Sequence, residues 1–302
     1  MNKHAYLILA HTNFGQLKKL LRLLDDPRND IFVHVDKKVR DFNEKDFDNI
    51  CKYSNLNFIS PRIQVNWGGV SIMRAELKLL KAATQSGTYN YYHLLSGLDL
   101  PIKTQKEIHD FFDSHQGKEF INYWPIKKSM YSRFRYYTVF PEGEKNFRTR
   151  IINHIVKGLQ MALGLKINRN VDFKVGSQWF SITDALARYV VENEEWLEET
   201  FRHTSTCDEV FLPTLVWKSP FRDNLYDKDD TKNQKESNIG NMRLIDWSRG
   251  ESIRHPWTFR SADFDMIMGK PHLWARKFDE KIDSEIISLI YDKLKNQDEH
   301  SR

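Results

Sequence analysis

The chain has 302 residues, of which 40% are hydrophobic, 13% aromatic and 29% charged, and its formal net charge is +5 at pH 7. This composition lies near the average of globular proteins, which excludes disordered, collagen-like and coiled-coil chains. A chain of this length forms one large domain or two smaller ones. It contains neither an internal repeat nor a linker between two cores, so the sequence predicts one domain over residues 1–302.

Two features of the sequence indicate the cellular compartment. The apolar run 5–10 is much shorter than the roughly 20 residues that span a bilayer, and it lacks the basic flank and cleavage site of a secretory signal. Cys51 and Cys207 are far apart and indicate neither a disulfide framework nor a metal knuckle. We therefore expect a cytoplasmic protein whose membrane contact, at the inner face, is at most peripheral.

The first hundred residues alternate between strand-like and helix-like patterns. Runs of apolar and β-branched residues predict strands, and apolar residues at helical spacing predict helices. The predicted strands are residues 5–10, 31–35, 57–59 and 90–95, and the predicted helices are residues 16–24 and 71–83. This alternation is typical of an α/β fold in which helices flank a mainly parallel central sheet.

The second half of the chain is less regular. Helical periodicity predicts an amphipathic helix over residues 151–165 and further helices over 184–198 and 284–295. Residues 176–180 have the character of a strand-like turn. Residues 222–241 are polar and poor in apolar side chains, which is typical of a flexible loop or lid.

The basic charge of the chain is concentrated in one segment. Residues 118–170 contain eleven Lys and Arg against three Glu, a net charge of +8, so the remainder of the chain is slightly acidic. No recognisable nucleic-acid module accompanies this segment, and we predict no nucleic-acid partner. We interpret it instead as a surface for peripheral membrane contact or for recognition of an acceptor.

Polar residues follow the predicted strands at the positions where α/β folds bind ligands. His11 follows the first strand, Asp36 the second, and Asp99 the strand that ends near residue 95. Because the carboxyl ends of parallel strands share one edge of a sheet, ligands bind at that edge. We expect these side chains to lie near a binding site, although ordinary polar loops occupy the same positions.

The sequence lacks the motifs of several enzyme classes. It contains no glycine-rich dinucleotide fingerprint, no phosphate-binding P-loop and no nucleophile elbow around a serine. His34 and Asp36 flank a strand end, but no third ligand follows them, and the eleven histidines include no HxxxH pair. We therefore expect no metal site.

One acidic pair and one group of cations are candidates for chemistry. Asp208 and Glu209 precede an apolar run that opens a helix, where a carboxylate is either a helix cap or a general base beside a pocket. Arg254, Arg276 and Lys277 lie among aromatic residues. They either form surface salt bridges or hold phosphate, for which arginine offers a bidentate fork and lysine a point charge.

Seven segments, in one order along nearly the whole chain, resemble glycosyltransferase family 14, the core-2/I-branching β-1,6-N-acetylglucosaminyltransferases and peptide O-xylosyltransferases. They are LAH (9–11), IFVHVDKK (31–38), VNWGGVS (65–71), HLLSGLDLPIKT (93–104), GSQWF (176–180), CDEVFLPTL (207–215) and RHPWTFRSADFDMI through LWARKFDE (254–280). The resemblance implies a GT-A-type nucleotide-sugar transferase fold. Its nucleotide-binding half would cover about residues 1–115, and its acceptor and catalytic half about residues 116–302.

The resemblance also implies roles for single residues. Glu209 matches the catalytic base. The positions that match the nucleotide-sugar site are Leu9, His11, Asp36, Val65, Asn66, Trp67, Arg254, Arg276 and Lys277. Asp99, Gln178 and Trp179 match the cleft for the sugar and the acceptor. Gln178 departs from the pattern, because some xylosyltransferases have an acid there, and the many cysteines of the animal members are absent.

The implied activity is inverting transfer of a sugar, N-acetylglucosamine or xylose, from a UDP-sugar to a hydroxyl of a glycan or lipid-linked oligosaccharide. Glu209 would take the proton of the hydroxyl, and Arg254 and Lys277 would stabilise the departing UDP. Family members of the branching type need no metal, so we expect no cofactor. Two alternatives remain: a metal-dependent GT-A transferase that uses Asp36, and a carbohydrate-binding relative without catalysis.

Overall fold

The computed structural model describes residues 2–126, 128–142, 146–227, 239–249 and 255–300, and the structural statements that follow concern these residues. Two predictions from the sequence fall partly or wholly outside them. Arg254 lies outside the described residues, and so does 228–238, the central part of the predicted loop or lid.

The amino-terminal part alternates strands and helices as the sequence predicts. Its elements are β1 (His4–Ala10), α1 (Phe14–Leu24), β2 (Asn29–Val35), β3 (Asn55–Phe58), α2 (Val70–Ser86), β4 (Tyr91–Ser96), β5 (Leu100–Pro101) and α3 (Gln105–Ser114). Helices α1 and α2 each bury one apolar stripe, because their apolar residues recur at intervals of three and four. Each strand and helix predicted for this part is present, with ends shifted by three residues or fewer.

The remaining part is mainly helical. Its elements are α4 (Lys128–Arg135), α5 (Phe147–Ala162), β6 (Ser181–Thr183), α6 (Asp184–Glu192), α7 (Glu194–Phe201), α8 (Phe211–Trp217), β7 (Arg243–Ile245), α9 (Phe264–Met268), β8 (Trp274–Arg276) and α10 (Ser284–His300). Short 3-10 helices lie at Glu44–Phe47, Pro220–Asn224, Ile239–Asn241 and Ser261–Asp263. None of the helices in the described ranges combines the length and the apolar composition that crossing a bilayer requires.

The central sheet has the strand order β3-β2-β1-β4-β6. Strands β1 to β4 run parallel to their neighbours, and β6 pairs antiparallel with β4 at one edge. This arrangement confirms the predicted α/β fold with a mainly parallel sheet. Because β6 comes from the second half of the sequence, the sheet joins both halves of the chain; their division near residue 115 stays a prediction.

Apolar layers cover both faces of the sheet. Ala5 and Leu7 of β1 pack into one cluster with α2, α6 and α8, whereas Tyr6 and Ile8 pack into the other with α1, α3 and α10. Alternate side chains of a strand point to opposite faces, so a strand buried on both sides is apolar throughout. This explains why β1 reads as one continuous apolar run.

The predicted helix over 184–198 is wrong as a single element, because α6 ends at Glu192 and α7 begins at Glu194. The side chain of Asn193, between them, donates a hydrogen bond of 2.8 Å to the carbonyl oxygen of Tyr189. Asparagine side chains compete in this way with the helical backbone for its hydrogen bonds. Helical periodicity alone does not reveal the break.

The helix predicted at 151–165 is present but begins and ends earlier. Helix α5 starts after Asn146, whose side chain accepts a hydrogen bond from the backbone N–H of Arg148. It ends at Ala162 because Gly164 adopts a positive φ of 67°, the conformation that commonly terminates a helix.

A smaller sheet with the order β5-β8-β7 packs beside the carboxyl end of β4. Arg243 of β7 links the two sheets, since its buried guanidinium donates hydrogen bonds to the carbonyl oxygens of Leu94 (3.2 Å) and Phe180 (2.5 Å) and lies 4.5 Å from the ring centre of Trp274. Burial lowers the pKa of the Arg243 guanidinium to about 9. The link holds the end of β8, with Arg276, against the central sheet.

Candidate functional site

A cavity opens at the carboxyl edge of the central sheet, over three residues on adjacent strands. Leu9 of β1 is paired with His34 of β2 on one side and with Ser96 of β4 on the other. Paired residues of neighbouring strands point to the same face, so these three side chains form one row. All three line the cavity, whose volume of about 540 Å³ lies within the usual range for small-ligand sites.

The structure brings most of the residues named from the sequence together around this cavity. Eight of them line it: Leu9, His11, Asp36, Val65, Trp67, Gln178, Trp179 and Arg276. Four more described residues do not line it, but each is the sequence neighbour of one that does: Asn66, Asp99, Glu209 and Lys277. Segments more than 200 residues apart in sequence therefore meet at one site.

Asp36 is buried at the end of β2 and organises the loop beside it. Its Oδ1 accepts hydrogen bonds from the backbone N–H groups of Lys38 (2.9 Å) and Val65 (3.3 Å). Its Oδ2 lies 3.4 Å from the Nζ of Lys38. The carboxylate thus carries two backbone hydrogen bonds and one cation, and it holds the 63–65 segment against β2.

Trp67 forms an exposed rim of the cavity just before helix α2. Its side chain is 54% exposed, although large aromatic residues are usually covered. The backbone N–H of its neighbour Asn66 donates to the Oγ of Ser71 (2.9 Å), and the Asn66 side chain donates to Glu142 (3.1 Å). These contacts fix the backbone and leave the indole face available for a planar ligand group.

The guanidinium group of Arg276 lies in the cavity wall, where neighbouring side chains fix its orientation. Its guanidinium carbon lies 4.0 Å from the ring centre of Trp179, and its Nε lies 3.4 Å from Oδ1 of Asp99. Asp99 in turn accepts hydrogen bonds from the backbone N–H and the Oγ of Ser96, at 2.9 and 2.8 Å. Burial lowers the pKa of the Arg276 guanidinium, and the Asp99 carboxylate opposes that shift. Arginine stays charged in proteins, so this side chain is an oriented positive group.

Gln178 is anchored by a buried acid. Its Nε2 donates a hydrogen bond of 2.8 Å to Oε1 of Glu76, which lies on α2 with no exposed surface. Burial raises the pKa of the Glu76 carboxyl well above its ordinary value, and the charge of Asp208 adds to the shift. Burial thus favours the neutral form of the Glu76 carboxyl, and this buried acid holds the Gln178 side chain from behind.

Glu209 is half-buried beside Asp208, which lines the cavity. The pKa of Glu209 is raised to about 7, mainly by burial and also by the charge of Asp208, while Arg133 opposes the shift. Neither residue of this acidic pair is the N-cap of α8, because the helix begins at Phe211 and its N-cap is Val210. A carboxyl group with a pKa near 7 suits proton transfer at neutral pH.

A glycine allows the GSQWF segment to approach the acidic pair. The backbone N–H of Gly176 donates a hydrogen bond of 2.8 Å to the carbonyl oxygen of Glu209. A Cβ atom at position 176 would collide with the carbonyl oxygen of Asn122. This position therefore requires glycine, and it ties the loop of Glu209 to the loop of Gln178 and Trp179.

His34 lies at the cavity floor as a neutral imidazole. Its Nε2 accepts a hydrogen bond of 2.8 Å from the backbone N–H of Ile63, and burial lowers its pKa to about 4. Across the described parts of the chain, no group of three or more His, Cys, Asp or Glu side chains has an arrangement that could hold a metal ion. The expected metal independence stays a prediction.

The sequence assigned no role to several residues of the site. Lys38, Ser96 and His255 line the cavity, and Glu76 lies behind it. Asp208, named together with Glu209 as a candidate acidic pair, also lines the cavity. Lys38 and Ser96 lie inside segments of the family resemblance, and Asp208 neighbours Glu209, so proximity to those motifs is a usable signal. Nothing in the local sequence distinguishes Glu76 from an ordinary helical glutamate.

Comparison with known proteins is informative at this point. A model of the family described as "Branch: Core-2/I-Branching enzyme" matches residues 4–268. The chain belongs to this family. The match confirms the resemblance recognised in the motifs, and the mainly parallel sheet agrees with the GT-A-type fold expected for a member of the core-2/I-branching family.

The relatives have names from two transferase groups. Xylosyltransferase 2 of Rattus norvegicus is 23% identical over 95% of the chain and 33% of its own length, and xylosyltransferase sqv-6 of Caenorhabditis briggsae is 26% identical over 93% and 35%. A β-1,3-galactosyl-O-glycosyl-glycoprotein β-1,6-N-acetylglucosaminyltransferase 4 of Mus musculus is 22% identical over 97% and 66%. The chain thus spans about one third of the xylosyltransferases that it matches.

Among solved structures, the apo form of mouse xyloside xylosyltransferase 1 is 10% identical, covers 73% of this chain and 83% of its own, and has a TM-score of 0.34. TarS of S. aureus is 12% identical, covers 44% of this chain and 24% of its own, and has a TM-score of 0.27. Likeness at this level adds nothing to the description of the site.

Proposed function

We propose that this core-2/I-branching family member is a glycosyltransferase that moves a sugar from a UDP-sugar to a hydroxyl of a glycan acceptor. One observation carries the proposal: a single cavity at the carboxyl edge of the sheet unites eight residues chosen from the family motifs alone. The names of the relatives support N-acetylglucosamine or xylose as the donated sugar.

The nucleotide is expected at the sheet edge. Leu9 and Val65 supply apolar walls, and Trp67 offers an exposed ring face on which a base can stack. Asp36 is rigid because two backbone N–H groups hold one of its oxygens, and it can accept a hydrogen bond from the ribose or uracil. His11 lies at the same rim.

The diphosphate is expected on the cationic wall. The Arg276 guanidinium is oriented by Trp179 and Asp99 before any ligand binds, so it loses little freedom when it forms a bidentate contact with phosphate. Lys38 and His255 line the same cavity. By family resemblance Lys277, next to Arg276, and Arg254 contribute further positive charge.

The chemical step needs one base and one stabilised leaving group. In the proposed step Glu209 accepts the proton of the acceptor hydroxyl while its oxygen attacks the anomeric carbon. The bond from that carbon to the diphosphate oxygen breaks, and its electron pair stays on UDP, where Arg276 offsets the new charge. Direct displacement by one nucleophile inverts the anomeric configuration.

Metal independence belongs to the same proposal. The cations on the cavity wall offset the negative charge of the diphosphate, as a divalent ion does in metal-dependent glycosyltransferases. The alternative, in which Asp36 ligates the metal, is disfavoured because Asp36 already accepts two backbone hydrogen bonds and faces Lys38. The other alternative is a carbohydrate-binding relative without turnover.

For the acceptor we propose a glycan or a lipid-linked oligosaccharide, and no nucleic acid. The chain would work on the cytoplasmic side, with peripheral contact between residues 118–170 and the inner face of the membrane. Both cysteines are free, Cys51 half-buried and Cys207 buried, in agreement with a reducing compartment.

The test is thermal unfolding with UDP, UDP-N-acetylglucosamine and UDP-xylose, each with and without EDTA, and ADP as the control nucleotide. A ligand that binds only the folded protein raises the melting temperature, so we expect an increase with the uridine compounds that EDTA leaves unchanged. Release of free sugar or product from the stabilising donor establishes turnover. Stabilisation that requires Mn²⁺ favours the metal-dependent alternative, and binding without any turnover favours the carbohydrate-binding one.

A further inference from the structure

Helix α5 turns its polar side chains toward the protein, which is the reverse of an ordinary surface helix. Asn153 exchanges two hydrogen bonds with the backbone of Phe140, at 3.0 and 3.1 Å. Gln160 exchanges two with the backbone of Tyr137, at 2.8 and 2.9 Å. The helix is therefore attached to residues 137–140 by amide side chains, and none of its residues is buried.

The other side of the helix presents a stripe of apolar side chains to solvent. Its members are spaced by four residues and are Phe147, Ile151, Ile155, Leu159 and Leu163, with exposed fractions of 66%, 42%, 58%, 58% and 70%. Met161 and Leu165 extend it at 57% and 51%. Soluble monomers rarely expose a contiguous apolar surface of this kind, so the stripe indicates a contact surface.

The charges around the stripe indicate what covers it. Between Asn146 and Val171 the sequence has five Lys and Arg and no Asp or Glu. Arg148, Arg150, Lys166 and Arg169 are exposed, whereas Lys157 donates a hydrogen bond of 2.7 Å to Ser132. An apolar stripe on a segment that carries cations and no carboxylate complements a surface that is apolar inside and anionic outside, as an anionic bilayer is.

We propose that residues 147–165 are a docking surface for an anionic lipid bilayer. The stripe from Phe147 to Leu163 enters the boundary between headgroups and acyl chains, and the exposed arginines and lysines contact lipid phosphates. The proposal rests on the proposed function in one respect, because it identifies the part of residues 118–170 that provides the peripheral membrane contact.

A residue just before the docking surface contacts the rim of the cavity. Glu142, which precedes α5, accepts hydrogen bonds of 2.6 Å from both the backbone N–H and the Oγ of Ser71 at the start of α2. Ser71 directly precedes Ile72, which lines the cavity, and follows Trp67 at its rim. Helix α5 thus begins five residues along the chain from a contact at the cavity rim.

The test is co-sedimentation of the full chain with two kinds of vesicle: phosphatidylcholine alone, and equal parts of phosphatidylcholine and phosphatidylglycerol. We expect binding to the anionic vesicles only. The double variant Ile155→Ser with Leu159→Ser should weaken it by about tenfold or more, since each inserted apolar side chain adds to membrane affinity. Leu289→Ser, an exposed leucine on α10, is the matched control and should bind as wild type does.

Other outcomes overturn the proposal. Absence of binding to both vesicles does so, and so does binding that the double variant leaves unchanged. Concentration-dependent self-association that the double variant abolishes assigns the stripe to a second copy of the chain instead. Stabilisation by UDP, measured on the same samples, separates the two proposals. If UDP stabilises the protein but the vesicles do not bind, only the docking surface is rejected. If the vesicles bind but UDP does not stabilise the protein, only the transferase proposal is rejected.

Discussion

The cavity and helix α5 both depart from the usual distribution of polar and apolar side chains, but in opposite ways. Around the cavity, ionisable side chains are buried: Glu76 and Asp99 have no exposed surface, and the Arg276 side chain is 16% exposed. On α5, by contrast, Ile155 and Leu159 are more than half exposed. Both arrangements destabilise the folded protein. A buried ionisable group loses its hydration, and an exposed apolar side chain does not gain the free energy of burial.

The two regions differ in whether contacts within the protein offset this loss of stability. Two buried groups at the cavity have partners within the protein: Asp99 faces Arg276, and Oε1 of Glu76 accepts a hydrogen bond from Gln178. The cavity is therefore complete before a ligand arrives, which favours catalysis because its groups need not reorganise. The apolar stripe of α5 is covered by nothing among the described residues, and in our proposal an anionic bilayer covers it.

The largest expected effect concerns the acidic pair beside the cavity. We expect Glu209→Gln to reduce kcat by about 10²–10⁴-fold, the usual contribution of a positioned base, with affinity for UDP nearly unchanged. Asp208→Asn should have a smaller effect, since Asp208 acts on Glu209 through its charge. The comparison is made by steady-state kinetics and UDP titration; a larger loss of kcat in Asp208→Asn would assign the base to the side chain that lines the cavity.

The pKa of Glu209 adds a second measurement to this prediction. Catalysis needs the ionised carboxylate, so kcat should rise as pH increases through about 7. Because the folded-state pKa lies above the ordinary value, ionisation of Glu209 reduces stability as pH rises from about 4.5 to above 7. Glu209→Gln should therefore melt at a higher temperature than wild type at pH 8 and at a similar temperature at pH 5. A lower melting temperature at pH 8 would contradict the raised pKa of this carboxyl.

Arg276 has the next largest expected effect. Arg276→Ala should weaken UDP binding by about 10- to 100-fold, because charged hydrogen bonds contribute roughly 1.5–3 kcal/mol. It should also lower stability, since the Asp99 carboxylate is left buried without its cation. Lys277→Ala is the comparison variant: it removes a neighbouring charge that does not line the cavity, so the loss of UDP affinity should be smaller. Isothermal titration with UDP measures the affinity of both variants. Equal losses of UDP affinity would mean that the two cations contribute equally to binding.

The smallest expected effect tests the buried acid behind Gln178. Glu76→Leu leaves the Nε2 of the half-buried Gln178 without its acceptor, and a lost hydrogen bond costs about 0.5–1.5 kcal/mol, so kcat/KM should fall several-fold, up to about tenfold. Glu76→Gln retains an acceptor and adds no charge, and it should stay close to wild type in kcat, KM and pH profile. A shifted pH profile in Glu76→Gln would show that Glu76 is ionised in the working enzyme.

Several elements follow from local sequence because their physical cause is local. Strand β1 is predicted by its continuous apolar run, since both its faces are buried, and α2 by apolar residues at helical intervals. Helical periodicity does not predict the break at Asn193, because a side-chain hydrogen bond to Tyr189 leaves the spacing of the apolar residues unchanged. Family membership was likewise readable, because it rests on ordered segments rather than on geometry.

The sequence by itself determined the fold class, the family and the set of residues from which a site could be built. Only the tertiary structure decided how these residues are arranged: that Leu9, His34 and Ser96 form one row, that Arg276 rather than Lys277 lines the cavity, and that Gln178 meets Glu76. It also decided that α5 faces the protein with its polar side. The reason is that helical and strand periods are set by near neighbours, whereas strand register and the orientation of a helix depend on packing between segments far apart in the chain.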